Sequence, residues 1–236
     1  MIKSSLGVVG LAAATVLAFS APVKAEEFAY SFTIGATSDY VFRGLSLNEE
    51  EPTIQGSVDV TYGLFYAGVW GSQVEGDGFA PLEVDVYGGI KPVWGQFTFD
   101  FGVLGYLYPE ASNALDYVEF KAGVSTEIFK NLSGTAVIYY VPDQDNSPEV
   151  ITYEGTLSYA LPQFWVFAPS VSGQLGYADS EDGFFFGDNT YTYWNAGLAL
   201  VVEKITFDFR YWDTDLDNSI DNADERFVFT AKITLP

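Results

Sequence analysis

The stretch Gln96-Phe97-Thr98-Phe99-Asp100-Phe101-Gly102-Val103 puts a large apolar group at every second position, with amide, hydroxyl, carboxylate and glycine between. Successive side chains of an extended strand point to opposite sides, so this alternation marks a strand with one dry and one wet face. Such strands serve two folds. In a water-soluble sandwich the phenylalanines would face a core, and in a membrane barrel they would face lipid.

The same alternation runs through Phe28 to Ala36, Leu82 to Val86, Ile205 to Tyr211 and Phe227 to Leu235. Weaker copies lie near 53–62, 65–72, 117–128, 132–140, 151–160, 165–178 and 190–202. That makes about twelve strands, each close to the ~9–11 residues that cross a bilayer at a tilt. The connections alternate as well. Short ones fall at 63–64, 91–95, 129–131, 161–163 and 203–204, and long ones at 45–52, 73–81, 107–115, 141–150, 179–189 and 213–224. A barrel with both termini inside, short periplasmic turns and long outer loops has this rhythm, and a Greek-key sandwich has no reason to produce it. The six long loops hold 18 of the 32 acidic residues and no lysine or arginine, whereas Lys91, Lys130 and Lys204 sit in short turns. Trp70, Trp94, Trp165, Trp194 and Trp212, with Tyr62, Tyr108, Tyr140 and Tyr177, fall near strand ends, as aromatic girdles require. The expected fold is all-β: an antiparallel up-and-down transmembrane β-barrel of about twelve strands with long acidic extracellular loops.

The N-terminus reads MIKSSLGVVGLAAATVLAFSAPVKAEE. Lys3, the apolar run Leu6 to Ala21, and the small-residue pattern Val23-Lys24-Ala25 predict a secretory signal at 1–25, leaving 26–236 as one barrel domain in the bacterial outer membrane. Removing Lys3 and Lys24 takes the formal charge from −22 to −24, a balance that repels nucleic-acid phosphates. There is no cysteine, so disulfide and thiolate chemistry is absent.

The segment Thr37-Ser38-Asp39-Tyr40-Val41-Phe42-Arg43-Gly44-Leu45-Ser46, with Pro52 to Asp59 and Phe65-Tyr66-Ala67-Gly68-Val69-Trp70-Gly71-Ser72, resembles the TorF-type porin family of proteobacterial outer membranes. The resemblance is sharp over the first quarter of the mature chain and looser at Tyr211-Trp212-Asp213-Thr214-Asp215. It implies a small outer-membrane barrel. One departure is the ending Thr234-Leu235-Pro236, where such barrels usually carry phenylalanine or tryptophan.

Enzymatic outer-membrane barrels lean on histidine, whose imidazole titrates near neutral pH, and this chain has none. Transport chemistry would lie on the inward face. If Tyr40 and Phe42 point outward, period two turns Asp39 and Arg43 inward, and the same rule sends in Asp59, Glu83, Asp85, Asp100, Glu119, Lys121, Glu154, Asp208, Arg210 and Lys232. These are eight acids against four bases, so an open lumen would prefer cations. A closed interior would instead pair them off, as Asp39–Arg43, Glu119–Lys121 and Asp208–Arg210. Arg43, whose planar guanidinium can bridge two carboxylates, is the candidate organiser.

Asp213, Asp215, Asp217, Asp221 and Asp224 fall at positions 1, 3, 5, 9 and 12 of a calcium-type loop, without its glycine, its terminal glutamate or flanking helices. Outer loops this acidic would also meet anionic lipopolysaccharide through bridging Ca2+ or Mg2+. The expected function is passive diffusion of small hydrophilic solutes, cations preferred. The alternatives are a non-conducting structural or surface-interaction barrel and a soluble periplasmic barrel that binds an apolar ligand.

Overall fold

The computed structural model describes residues 28–75, 81–109, 116–145, 147–181, 183–217 and 220–236, so the expected leader at 1–25 lies outside the described residues. Twelve long strands follow one another: β1 (Phe28–Thr37), β2 (Thr53–Tyr62), β3 (Phe65–Ser72), β4 (Glu83–Ile90), β5 (Phe97–Leu107), β6 (Tyr117–Phe129), β7 (Leu132–Val141), β8 (Val150–Ala160), β9 (Ala168–Ser180), β10 (Thr190–Val202), β11 (Ile205–Thr214) and β12 (Arg226–Leu235). Each pairs antiparallel with the next, and β1 closes on β12 from Phe32↔Leu235 to Thr37↔Thr230. Closure leaves no unpaired sheet edge, which is the condition for a sheet to cross lipid. Val93–Trp94 extends β4 beyond Lys91-Pro92, where proline has no N–H for the ladder.

The opening stretch is settled by exposure: Phe97, Phe101 and Val103 point outward at 40%, 46% and 42%. Every strand adds large apolar side chains to that exterior, for example Ile34, Val58, Val69, Val86, Phe120, Ile138, Leu157, Leu175, Leu198, Phe209 and Phe229. An apolar belt of that extent is stable against acyl chains and costly in water, at roughly 25 cal/mol per Å2. Trp94 and Trp165 stand exposed at the short-turn end, and Tyr62, Tyr140 and Tyr177 also face out. Trp212 and Tyr108 are buried, and Trp70 packs against the buried cluster, so these three leave the expected girdles. Their positions fall on the inward parity of β3 and β11, and just past the end of β5.

The expected first strand requires correction. β1 stops at Thr37, and Tyr40 and Phe42, expected outside, are each only 2% exposed. Residues 38–48 instead fold into the barrel, carrying a small hairpin in which Val41–Phe42 pairs with Leu45–Ser46. Arg43 (φ 48°) and Gly44 (φ 86°) form its tip, both left-handed, as the favoured two-residue hairpin turn demands. The first long connection is therefore 38–52, and it carries a base. A smaller correction falls at 161–167, where Phe164 and Phe167 pair across a tight turn with Trp165 at φ 54°, so β9 begins at Ala168 and not near 165.

Candidate functional site

The hairpin fills the half of the barrel nearest the long loops. Tyr40, Val41, Phe42, Leu45 and Leu47 pack with Leu104, Tyr106, Tyr117, Val141, Val150, Tyr193 and Trp212 into one buried cluster. The lumen here is a core. Gly44 is required at the tip, because a Cβ would run into Thr214 Cγ2 and lie 2.9 Å from Tyr193 Cβ.

Arg43 anchors the tip. Its Nη2 lies 2.9 Å from Glu119 Oε2 on β6, and its Nε lies 3.8 Å from Glu154 Oε1 on β8. The guanidinium stacks between the rings of Phe42 and Tyr139, each 4.6 Å away. Tyr106 donates to Glu119, and Tyr193 and Gln174 donate to Glu154, so both carboxylates are hydrogen-bonded as well as paired. The guanidinium thus lies between two carboxylates, and these are not the partners that spacing suggested. Asp39 does not meet Arg43. It accepts from Ser46 Oγ and from Arg226 Nη1 at the start of β12, and Arg226 also reaches Glu50 at 3.6 Å. Burial, the largest influence on the Asp39 carboxyl, raises it above the ordinary aspartate range, against the lowering effects of Ser46 and Arg226. Ser38 Oγ accepts from the Phe229 N–H.

Nearer the short turns the inward charges are less deeply buried. Asp100 meets Lys121 at 3.0 Å and Lys91 at 3.8 Å, and accepts from Tyr66. Lys121 therefore pairs with Asp100, not with Glu119. Arg210 binds Asp208 through two hydrogen bonds and reaches Asn195 and Ser172. Asp59 accepts from Ser57 and Tyr87. Lys232 is half-buried in the field of Asp208 and Arg210. Glu83 and Asp85 belong to the plugged half and are fully buried, Glu83 accepting from Tyr40.

Sequence reasoning missed Arg226, Lys91 and the inward tyrosines. Arg226 shares the parity of Val228 and Lys232, so the alternation carried its signal one residue before Phe227. At the end of β11 Asp213 accepts from Thr214 N and Tyr211 OH, and in the loop after it Asp215 accepts from Thr192 N. The Asp221 side chain lies outside the described residues, and among the described residues no three acidic side chains converge on a point where a metal could sit.

The model of a family described as "Bacterial protein of unknown function (Gcw_chp)" matches residues 22–235. No curated protein matches the chain in sequence. Among solved structures it is similar to the NanC porin, at 14% identity and TM-score 0.59, over 88% of this chain and 100% of that one. It is similar also to a structure from work on in-meso crystallisation of membrane proteins, at 7% identity and TM-score 0.54, over 87% of this chain and 83% of that one. The outer membrane channel DcaP of Acinetobacter baumannii aligns at 11% identity and TM-score 0.45, over 89% and 98% of the two chains. For the first two, at these identities, the likeness is one of fold.

Proposed function

We infer the function of this chain, which belongs to the Gcw_chp family of bacterial proteins, from its barrel and from what fills it. It is an outer-membrane channel for small hydrophilic solutes, cations preferred, whose width is set by the inward-folded first loop. The short turns face the periplasm and the acidic loops face outside. The porin-like fold and the resemblance of the first quarter to TorF-type porins support the reading, and the absence of histidine favours transport over catalysis. The observation that carries it is the closed twelve-strand barrel with charged side chains on its inward face; the hairpin Val41–Ser46 pairs with no barrel strand and narrows the space through which solutes would pass.

The test is single-channel conductance in planar bilayers with reversal potentials, for the natural chain and for a variant in which Val41–Ser46 becomes a short Gly-Ser turn. Small steps in the natural chain, larger ones in the variant, and a cation-side reversal potential in both are expected. Silence in both would overturn the channel and favour the second reading, a non-conducting structural barrel, to which the fully buried Glu83, Asp85 and Glu119 already lend support. The outer surface would meet lipopolysaccharide through divalent cations bridging the acidic loops. Chelation should then loosen the loops, and unchanged proteolysis with chelator present would count against that bridging.

A further inference from the structure

Arg43 is taken up by Glu119 and Glu154, and Arg226 by Asp39 and Glu50. Two acids in the same half are left over. Glu83 and Asp85 stand two residues apart on β4, so both enter the barrel, and both are 0% exposed. Among the described residues neither Asp85 oxygen has a hydrogen-bond partner, and no lysine or arginine pairs with either acid. Across the sheet Asp85 lies opposite Trp70 on β3 and Tyr106 on β5, and Tyr106 gives its hydroxyl hydrogen to Glu119. A buried carboxylate without partner or counter-charge is among the costliest groups a fold can hold.

We propose that Glu83 and Asp85 bind a dehydrated divalent cation of the calcium class, at the seam where Tyr40 of the inward loop meets β4. Two carboxylates balance two positive charges, and the neighbouring donors are oxygens, which suit a hard cation. The seam is dry. Ca2+ accepts irregular oxygen cages, whereas Mg2+ keeps several of its waters and demands octahedral room. No third acid converges there among the described residues, so hydroxyl and carbonyl oxygens complete the shell, with the Tyr40 phenol already 2.9 Å from Glu83. Because Tyr40 belongs to the plug, the ion clamps the plug to the wall. The site is independent of whether the barrel conducts, so silent bilayers would leave it standing.

The test is the thermal midpoint of the detergent-solubilised barrel, first in chelator and then with millimolar CaCl2. Calcium should raise the natural chain's midpoint by several degrees, and Asp85→Asn and Glu83→Gln should each abolish the rise. In chelator, Asp85→Asn should be at least as stable as the natural chain, since it removes a buried acid whose oxygens have no partner among the described residues; this also shows that it folds. A triple variant Asp213→Asn, Asp215→Asn, Asp217→Asn should keep the rise. No rise in the natural chain, a rise that survives in Asp85→Asn, or a rise lost only in the triple variant would each overturn the site.

Discussion

At the scale of single residues, Arg43 decides whether the plug can stay. It brings a positive charge to Glu119 and Glu154, both in the barrel wall. Arg43→Met strands those acids and should lower stability by about 3–5 kcal/mol, read from denaturant unfolding in detergent. Glu119→Gln in the same chain should recover part of the loss, and Arg43→Lys should not restore it, because an ammonium cannot span two carboxylates or stack between Phe42 and Tyr139. Gly44→Ala meets the wall and a left-handed φ, and should cost at least about 1–2 kcal/mol by the same measurement. Asp39 adds a pH dependence. Its carboxyl is raised in the docked loop, so the docked form holds its proton more tightly than the released form. The stabilisation is complete below the ordinary value of 3.8 and is lost as pH rises through the raised value. Protease protection of the hairpin should therefore weaken with rising pH over that window, and Asp39→Asn should flatten the profile. The role of Arg43 was legible from its chemistry. Its partners were not, because spacing along one strand assigned Asp39 to it and the backbone leaves that strand at Ser38.

At the scale of elements, eleven strands emerged from alternation nearly as the sequence spelled them, and β1 emerged as far as Thr37. The hairpin did not, for a physical reason. Tyr40-Val41-Phe42-Arg43-Gly44-Leu45-Ser46-Leu47 is apolar with interspersed polar groups, and that pattern records dry surroundings without saying whether lipid or an internal core provides them. The burial of Tyr40 and Phe42 separates the two, and the positive φ values at Arg43 and Gly44 mark the hairpin; both belong to conformation. Since the hairpin shares no ladder with the wall, its removal should spare the barrel: the Gly-Ser variant should keep the heat-modifiable gel shift of a folded barrel. A strand carries the opposite expectation. Phe101 stands mid-strand on the outer face of β5, and Phe101→Arg should cost about 2–4 kcal/mol if that face meets the bilayer midplane.

At the scale of the whole molecule, the lumen's acidity is unevenly placed. The eight inward acids stand where alternation put them, apart from Asp39, which rides on the plug. Toward the short turns Asp59, Asp100 and Asp208 face Lys91, Lys121, Arg210 and Lys232, so that half is nearly neutral. The surplus lies in the plugged half, where Asp39, Glu83, Asp85, Glu119 and Glu154 meet only Arg43 and Arg226. Glu49, Glu51 and Glu75 stand exposed at the long-loop end, beside the cleft that Asn48, Gln73 and Pro81 line between the first two long loops, and on the proposed channel reading an ion entering from that end would meet them first. A field at an entrance raises the local concentration of counter-ions, and a cluster of carboxylates there would favour cations before any constriction. Cation preference should therefore reside at the long-loop mouth. Glu49→Gln, Glu51→Gln and Glu75→Gln together should move the reversal potential of the hairpin-deleted channel toward zero, and the shift should shrink at high salt as screening shortens the field. Asp59→Asn with Asp100→Asn should leave that potential nearly unchanged. If the second pair abolished cation preference and the first three did not, selection would lie instead in the periplasmic half.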